Sequence, residues 1–93
     1  MDLGLLTYNR PEKATYNFTN TGTHPLIIYH VTASCGCTEV EWPEKIIRPE
    51  KTGTITVTYD AAHQGRFRKT VYVHANTKNS PIELTLKGTV EGL

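Results

Sequence analysis

The sequence predicts an all-β domain, an antiparallel β-sandwich of about seven strands. Apolar and polar residues alternate with a period of two in most strand-like segments, which is typical of strands with one buried face. Gly, Asn and Pro occur in the intervening turns at residues 20–25, 60–65 and 76–81, and no long stretch shows helical spacing. A chain of 93 residues is long enough for one hydrophobic core, so residues 1–93 are expected to form a single domain.

The strand-like segments follow one another at the short intervals expected of a sandwich. In chain order they occupy residues 3–8, 13–19, 25–31, 38–42, 54–59, 66–74 and 82–90. In the second segment the side chains of Ala14, Tyr16 and Phe18 share one face, and the later segments repeat this alternation. The segment 25–31 differs because its first half is apolar on both faces, which predicts a strand in the middle of a sheet.

Charge and hydropathy argue against two classes of partner. Ten Lys and Arg residues against nine Asp and Glu residues give a net charge of +1, which leaves no excess positive charge for binding nucleic acid. The longest uninterrupted apolar run, residues 25–28, is too short for a membrane span or for the apolar part of a signal peptide. Because Met1 directly precedes strand-like sequence, one hypothesis is that the chain is the excised mature domain of a longer precursor.

The stretch TASCGCTEV contains both cysteines, Cys35 and Cys37, separated only by Gly36. In a regular strand their Cα atoms lie roughly 6 to 7 Å apart, so a disulfide requires a sharp fold at Gly36. The resulting small ring would be strained and reducible, which is the only route to thiol oxidoreductase activity in this chain. The preferred interpretation is a corner where both sulfurs pack as small apolar groups beside Trp42. A structural disulfide is a further alternative.

Histidines near the cysteine pair suggest a second chemistry. Thiolate and imidazole ligands together are typical of zinc or copper sites. His30 precedes Cys35 by five residues, and His74 joins the set if its strand is a neighbour. Two cysteines at this spacing are only half a site. No cofactor is therefore expected, and metal binding is kept as an alternative.

Arg66, Arg68 and Tyr72 share the outward face of one strand and, with Trp42, form the candidate partner-binding face. Arg and aromatic residues are enriched at interfaces, although Trp42 also fits a position in the core. The polar residues are dispersed along outward strand faces, so we expect no enzyme. A partner strand added to an edge is a second binding mode, with residues 3–8 and the segment containing Trp42 as candidate edges. We expect a monomer or a weak dimer.

Five stretches occur in an order that identifies a family. They are NFTNTGTHPLII, ASCGCT, PEKTGTITVTYDA, GRFRKTVYVHANT and PIELTLKGTV. Together they resemble, over residues 3–90, the bacterial family of short immunoglobulin-like domains called domain of unknown function 1573. One departure is that the usual Pro-Gly before the strand that follows the cysteines is Pro49 and Glu50 here, with glycine only at Gly53.

The resemblance implies a seven-stranded immunoglobulin-like sandwich in an exported protein, often a periplasmic protein or a lipoprotein of the cell envelope. It implies no activity, substrate or catalytic residue. We therefore expect a non-catalytic structural or protein-interaction module with a protein partner, located in the periplasm or at the cell surface. The alternative is a metal-binding (Zn or Cu) or thiol-redox domain that uses Cys35 and Cys37.

Overall fold

Seven β-strands account for the regular structure of the described residues, 1–92, in this computed structural model. In chain order they are β1 (Asp2–Thr7), β2 (Glu12–Thr19), β3 (Ile28–Ala33), β4 (Thr38–Glu41), β5 (Thr52–Tyr59), β6 (Gly65–Ala75) and β7 (Ile82–Glu91). These residues contain no helix, and therefore none that is long and apolar enough to cross a membrane. The predicted all-β class and strand number are confirmed, because the period-two alternation reflects one-sided burial of the strands.

The strands form two sheets that pack around a common core. The four-stranded sheet has the order β1-β7-β6-β3, and the three-stranded sheet has the order β2-β5-β4. All neighbouring strands are antiparallel except β1 and β7, which are parallel. Both edges predicted from the sequence are confirmed, since β1 is an edge of the first sheet and β4, which precedes Trp42, is an edge of the second.

Two apolar clusters fill the space between the sheets. The larger one includes side chains that are completely inaccessible to solvent, among them Val57, Val71 and Leu86. The smaller one lies toward β1 and consists of Leu6, Tyr59, Ala61 and Val90. Burial of these side chains on alternate strand positions leaves the intervening residues on the outer faces of the sheets.

The prediction of a central strand at residues 25–31 is wrong. β3 begins at Ile28 and lies at an edge of the four-stranded sheet. Upstream of it, Leu26 forms an isolated bridge with Ile47 through backbone hydrogen bonds of 2.8 and 2.9 Å. Leu26 packs against the core, whereas its neighbour Ile27 is 36% exposed and faces solvent. The apolar residues on the second face of this segment therefore do not mark a second buried face.

Candidate functional site

Cys35 and Cys37 lie in the turn that joins β3 to β4 and are joined to each other by a disulfide bond. Their Cα atoms are 5.3 Å apart, closer than in a regular strand, because the chain bends and turns through residues 34–37. The Thr38 hydroxyl lies 3.7 Å from each sulfur, and the N–H of Asp60 donates to the carbonyl of Cys37 at 3.0 Å. The structure therefore differs from the preferred interpretation of two free, apolar thiols.

The surroundings of the disulfide also differ from that interpretation. Cys37 packs against the smaller apolar cluster, whereas Trp42 packs against the larger one. Trp42 is half-buried and meets the ring of His30 edge to face, with centroids 6.0 Å apart. This geometry favours the core position for Trp42 over a fully exposed recognition aromatic.

The histidines of the predicted metal set lie together on the four-stranded sheet. His30 on β3 is the register partner of His74 on β6, and their ring centroids are 6.1 Å apart. The sulfurs of Cys35 and Cys37 are bonded to each other rather than available as thiolates. Within residues 1–92 no group of three or more His, Cys, Asp or Glu side chains is placed to hold a metal ion.

We expect no free thiol when the protein is isolated from an oxidising compartment and unfolded in denaturant without reductant, and two after reduction. A ring of three residues constrains the unfolded chain only weakly, so replacing both cysteines by serine should lower the free energy of unfolding by about 1.6 kcal/mol in the chain-entropy model. Thiol counting and denaturant titration of the C35S/C37S variant test this. Two thiols in the unreduced sample would restore the interpretation of free thiols.

The thiol-redox alternative predicts a different equilibrium for Cys35 and Cys37. A disulfide with a purely structural role stays oxidised down to about −300 mV, whereas catalytic pairs exchange near about −200 mV. Equilibration in glutathione buffers of graded potential distinguishes a structural disulfide from a catalytic one. Half-reduction of the Cys35–Cys37 bond near about −200 mV would favour a redox function.

A shallow depression of about 800 Å³ on the outer face of the four-stranded sheet gathers two of the four predicted partner-binding residues. Arg66 and Arg68 line it from β6, and Lys87 lines it from β7 directly opposite Arg68 in the ladder. Leu5 of β1 lines it as well and is 68% exposed. Alternation along each strand places these side chains on one face, but their proximity depends on the pairing of three strands. Sequence reasoning therefore missed Lys87 and Leu5.

The other two predicted interface residues do not line this depression. Tyr72 lies on the same outward face of β6 as Arg68, but four residues further along, which is roughly 13 Å in a strand. Trp42 follows β4 of the other sheet and is adjacent to His30 at the β3 edge. The predicted face is therefore divided into a basic end and an aromatic end.

A family model described as "Protein of unknown function (DUF1573)" matches residues 1–90. The chain belongs to the DUF1573 family. The resemblance seen in the sequence is thus confirmed over nearly the whole chain. No match to the chain is found among curated proteins.

Two solved structures have folds similar to this DUF1573 domain. One is a protein of unknown function from Porphyromonas gingivalis W83, with a TM-score of 0.83 and 19% identity over 96% of this chain and 43% of that one. The other is the VesB protease of Vibrio cholerae, with a TM-score of 0.74 and 13% identity over 98% of this chain and 29% of that one. The chain spans less than half of each, and at these identities the similarity extends to the fold alone.

Proposed function

We propose that this domain is a non-catalytic protein-interaction module of an exported bacterial protein and that it binds an acidic partner surface on the outer face of its four-stranded sheet. The observation that carries the proposal is the cross-strand pair Arg68 and Lys87, next to Arg66 in the shallow depression. These three cations line the depression together with two carboxylates, Asp2 and Glu91, so positive charge predominates there by one.

The placement of these cations has a cost in the free domain. Like charges on directly opposite residues of a sheet repel each other and destabilise the pairing. Asp2 lies opposite Lys87 on the other side, where its carboxylate offsets part of this repulsion while its Oδ1 accepts the N–H of Gly4 at 2.8 Å. Carboxylates from a partner would relieve the repulsion, and the planar guanidinium group is suited to holding them in a bidentate pair.

An exposed apolar side chain accompanies the charges. Leu5 lines the same depression, and most of its side chain is in contact with solvent in the free domain. Protein interfaces commonly combine an apolar centre with a polar rim. Leu5 is therefore the proposed apolar anchor, with Arg66, Arg68 and Lys87 around it.

Export is supported by the disulfide between Cys35 and Cys37. Disulfides form and persist in the periplasm and outside the cell, whereas cytosolic thiols are kept reduced. A periplasmic or cell-surface location therefore agrees with the oxidised pair.

Site-specific photocrosslinking in the native host tests the interaction surface. A photoreactive amino acid in place of Leu5 should give a discrete adduct with the partner. Leu5 lies in the same depression as the three cations, and its replacement leaves all three of them in place. The matched control is the same amino acid at Thr15, an exposed residue of β2 on the other sheet. Combining the Leu5 crosslinker with R66E and R68E should reduce the adduct at least tenfold.

Three outcomes would contradict the proposed surface. These are no adduct at Leu5, adducts of equal yield at Leu5 and Thr15, or an adduct at Leu5 that persists after both charge reversals. Equal thermal stability of the charge-reversal variant and the parent chain ensures that a lost adduct reflects lost binding.

A further inference from the structure

An apolar cleft of about 420 Å³ opens between the two sheets, where β2 faces the first half of β7. It is distinct from the depression on the outer face of the four-stranded sheet. Both sheets contribute apolar side chains to its walls, among them Phe18, Leu26, Ile55, Ile82 and Leu84. These side chains belong to the partly buried margin or the interior of the larger apolar cluster. The cleft therefore exposes part of the core at one side of the sandwich.

Among residues 1–92, β1 pairs with the second half of β7, and the cleft lies beside the first half. The β1 ladder on β7 extends from Asp2 opposite Lys87 to Thr7 opposite Glu91. Met1 continues it by one step, since its carbonyl accepts the N–H of Lys87 at 3.0 Å. Within residues 1–92, positions 82–84 of β7 pair with β6 alone.

The first half of β7, which pairs with β6 alone among the described residues, presents backbone groups in a defined register. The N–H of Lys87 and the carbonyl of Thr85 both bond to Met1, so odd-numbered residues of β7 face the β1 side. By this alternation the carbonyl of Glu83 and the N–H of Thr85 face the same edge. These two groups are the next pair that a parallel strand in line with β1 would use. Unpaired groups of this kind bind added strands.

The hydroxyl groups of Tyr16 and Thr77 lie in the lining of the cleft. Tyr16 of β2 donates its hydroxyl to the carbonyl of Thr85 at 3.1 Å and joins the two sheets at one end. Burial raises the pKa of Tyr16 above its usual value of 10.0, so the hydroxyl stays protonated and keeps donating. The Thr77 hydroxyl, also in the lining, is buried and has no hydrogen-bond partner among the described residues.

We propose that this cleft and the free edge of β7 bind an extended strand of a partner protein, which pairs in parallel with β7 in line with β1. The residue that bonds to the Glu83 carbonyl and the Thr85 N–H lies opposite Leu84 and faces inward, so it is apolar. Its neighbour opposite Glu83 faces outward, where a Lys or Arg complements the carboxylate. The recognised segment thus alternates apolar inward residues with polar outward ones and places a cation beside Glu83.

Two probes carry the pattern Thr-Val-Lys-Val-Thr. The first attaches it directly before Met1, which places valines opposite Ile82 and Leu84 and the lysine opposite Glu83, at an effective concentration near millimolar. The second is the same sequence as a free capped peptide, added at millimolar concentration to the unmodified chain. The matched control in each format is Thr-Ser-Lys-Ser-Thr, which has the same length and charge and lacks the apolar side chains.

Hydrogen exchange and Tm are the readouts for the attached probe, and amide resonance shifts are the readout for the free peptide. The attached valine probe should slow exchange of the Thr85 and Glu83 amides at least tenfold, raise Tm, and leave the Leu86 amide, which faces β6, unchanged. The free valine peptide should shift the resonances of the same two amides. Neither serine probe should do so.

Several outcomes would overturn the inference. Equal effects of the valine and serine probes would show that apolar insertion plays no part. Protection by the attached probe alone would restrict the cleft to a segment continuous with β1, and protection accompanied by dimer formation would assign it to a second copy of the chain. The variant R66E/R68E should bind the valine peptide normally, so failure of this site and failure of the outer face are distinguishable.

Discussion

Replacing Leu86 with alanine is expected to lower the free energy of unfolding by about 2 to 5 kcal/mol. Leu86 is 0% exposed in the middle of β7 and belongs to the larger apolar cluster between the sheets. Truncation of the side chain removes apolar contacts and leaves a cavity. The cavity cannot collapse fully, because β7 is held between β1 and β6 by its hydrogen bonds to both strands. For a domain of this length the total is about 5 to 14 kcal/mol, so a large share is lost.

Leu5→Ala is the matched control for this change. Leu5 also lies in the four-stranded sheet, but 68% of its surface is exposed. Its replacement should change the free energy of unfolding by less than about 0.5 kcal/mol. Denaturant titration of both variants provides the measurement, and similar losses for the two leucines would contradict the assignment of the core to the inner face of β7.

Asn20→Ala is the second change with a large expected effect, roughly 2 to 4 kcal/mol of unfolding free energy. The buried side chain of Asn20 holds three backbone groups together. Its Nδ2 donates to the carbonyls of His24 and Ile47, both at 2.9 Å, and its Oδ1 accepts the N–H of Gly22 at 3.0 Å. Alanine leaves these groups without their partner, and burial makes that loss costly.

The control for Asn20 is Asn17→Ala on the exposed face of β2. Asn17 accepts one hydrogen bond, from the Thr54 hydroxyl at 3.0 Å, and water replaces it readily. We expect a change below about 0.5 kcal/mol. Because the N–H of Gly22 loses its acceptor on the Asn20 side chain, Asn20→Ala should increase hydrogen exchange at Gly22 before global unfolding. Equal stability of the two variants would show that the turn is not anchored through Asn20.

Period-two alternation predicted β2, β5, β6 and β7 to within a few residues of their ends. These strands expose one face and bury the other, so burial is recorded directly in the residue order. The same rule failed at residues 25–31. There apolar side chains belong partly to a loop bridge between Leu26 and Ile47 and partly to β3, and local sequence does not distinguish that from a strand buried on both faces.

The cysteine pair shows a similar limit. Strand geometry predicted that Cys35 and Cys37 would bond only if the chain folded sharply at Gly36, and the structure has that turn. The spacing CGC is compatible with both an extended and a turned backbone. The backbone is turned here because residues 34–37 must carry the chain from β3 in one sheet to β4 in the other.

By itself the sequence determined the all-β class, the family, the strand number and the outward face shared by Arg66, Arg68 and Tyr72. Only the tertiary structure decided that Lys87 and Leu5 join the two arginines and that, within residues 1–92, β1 pairs with the second half of β7. The physical reason is that alternation within a strand is a local property of the chain. Register and sheet order depend on contacts between residues far apart in sequence, which no local pattern specifies.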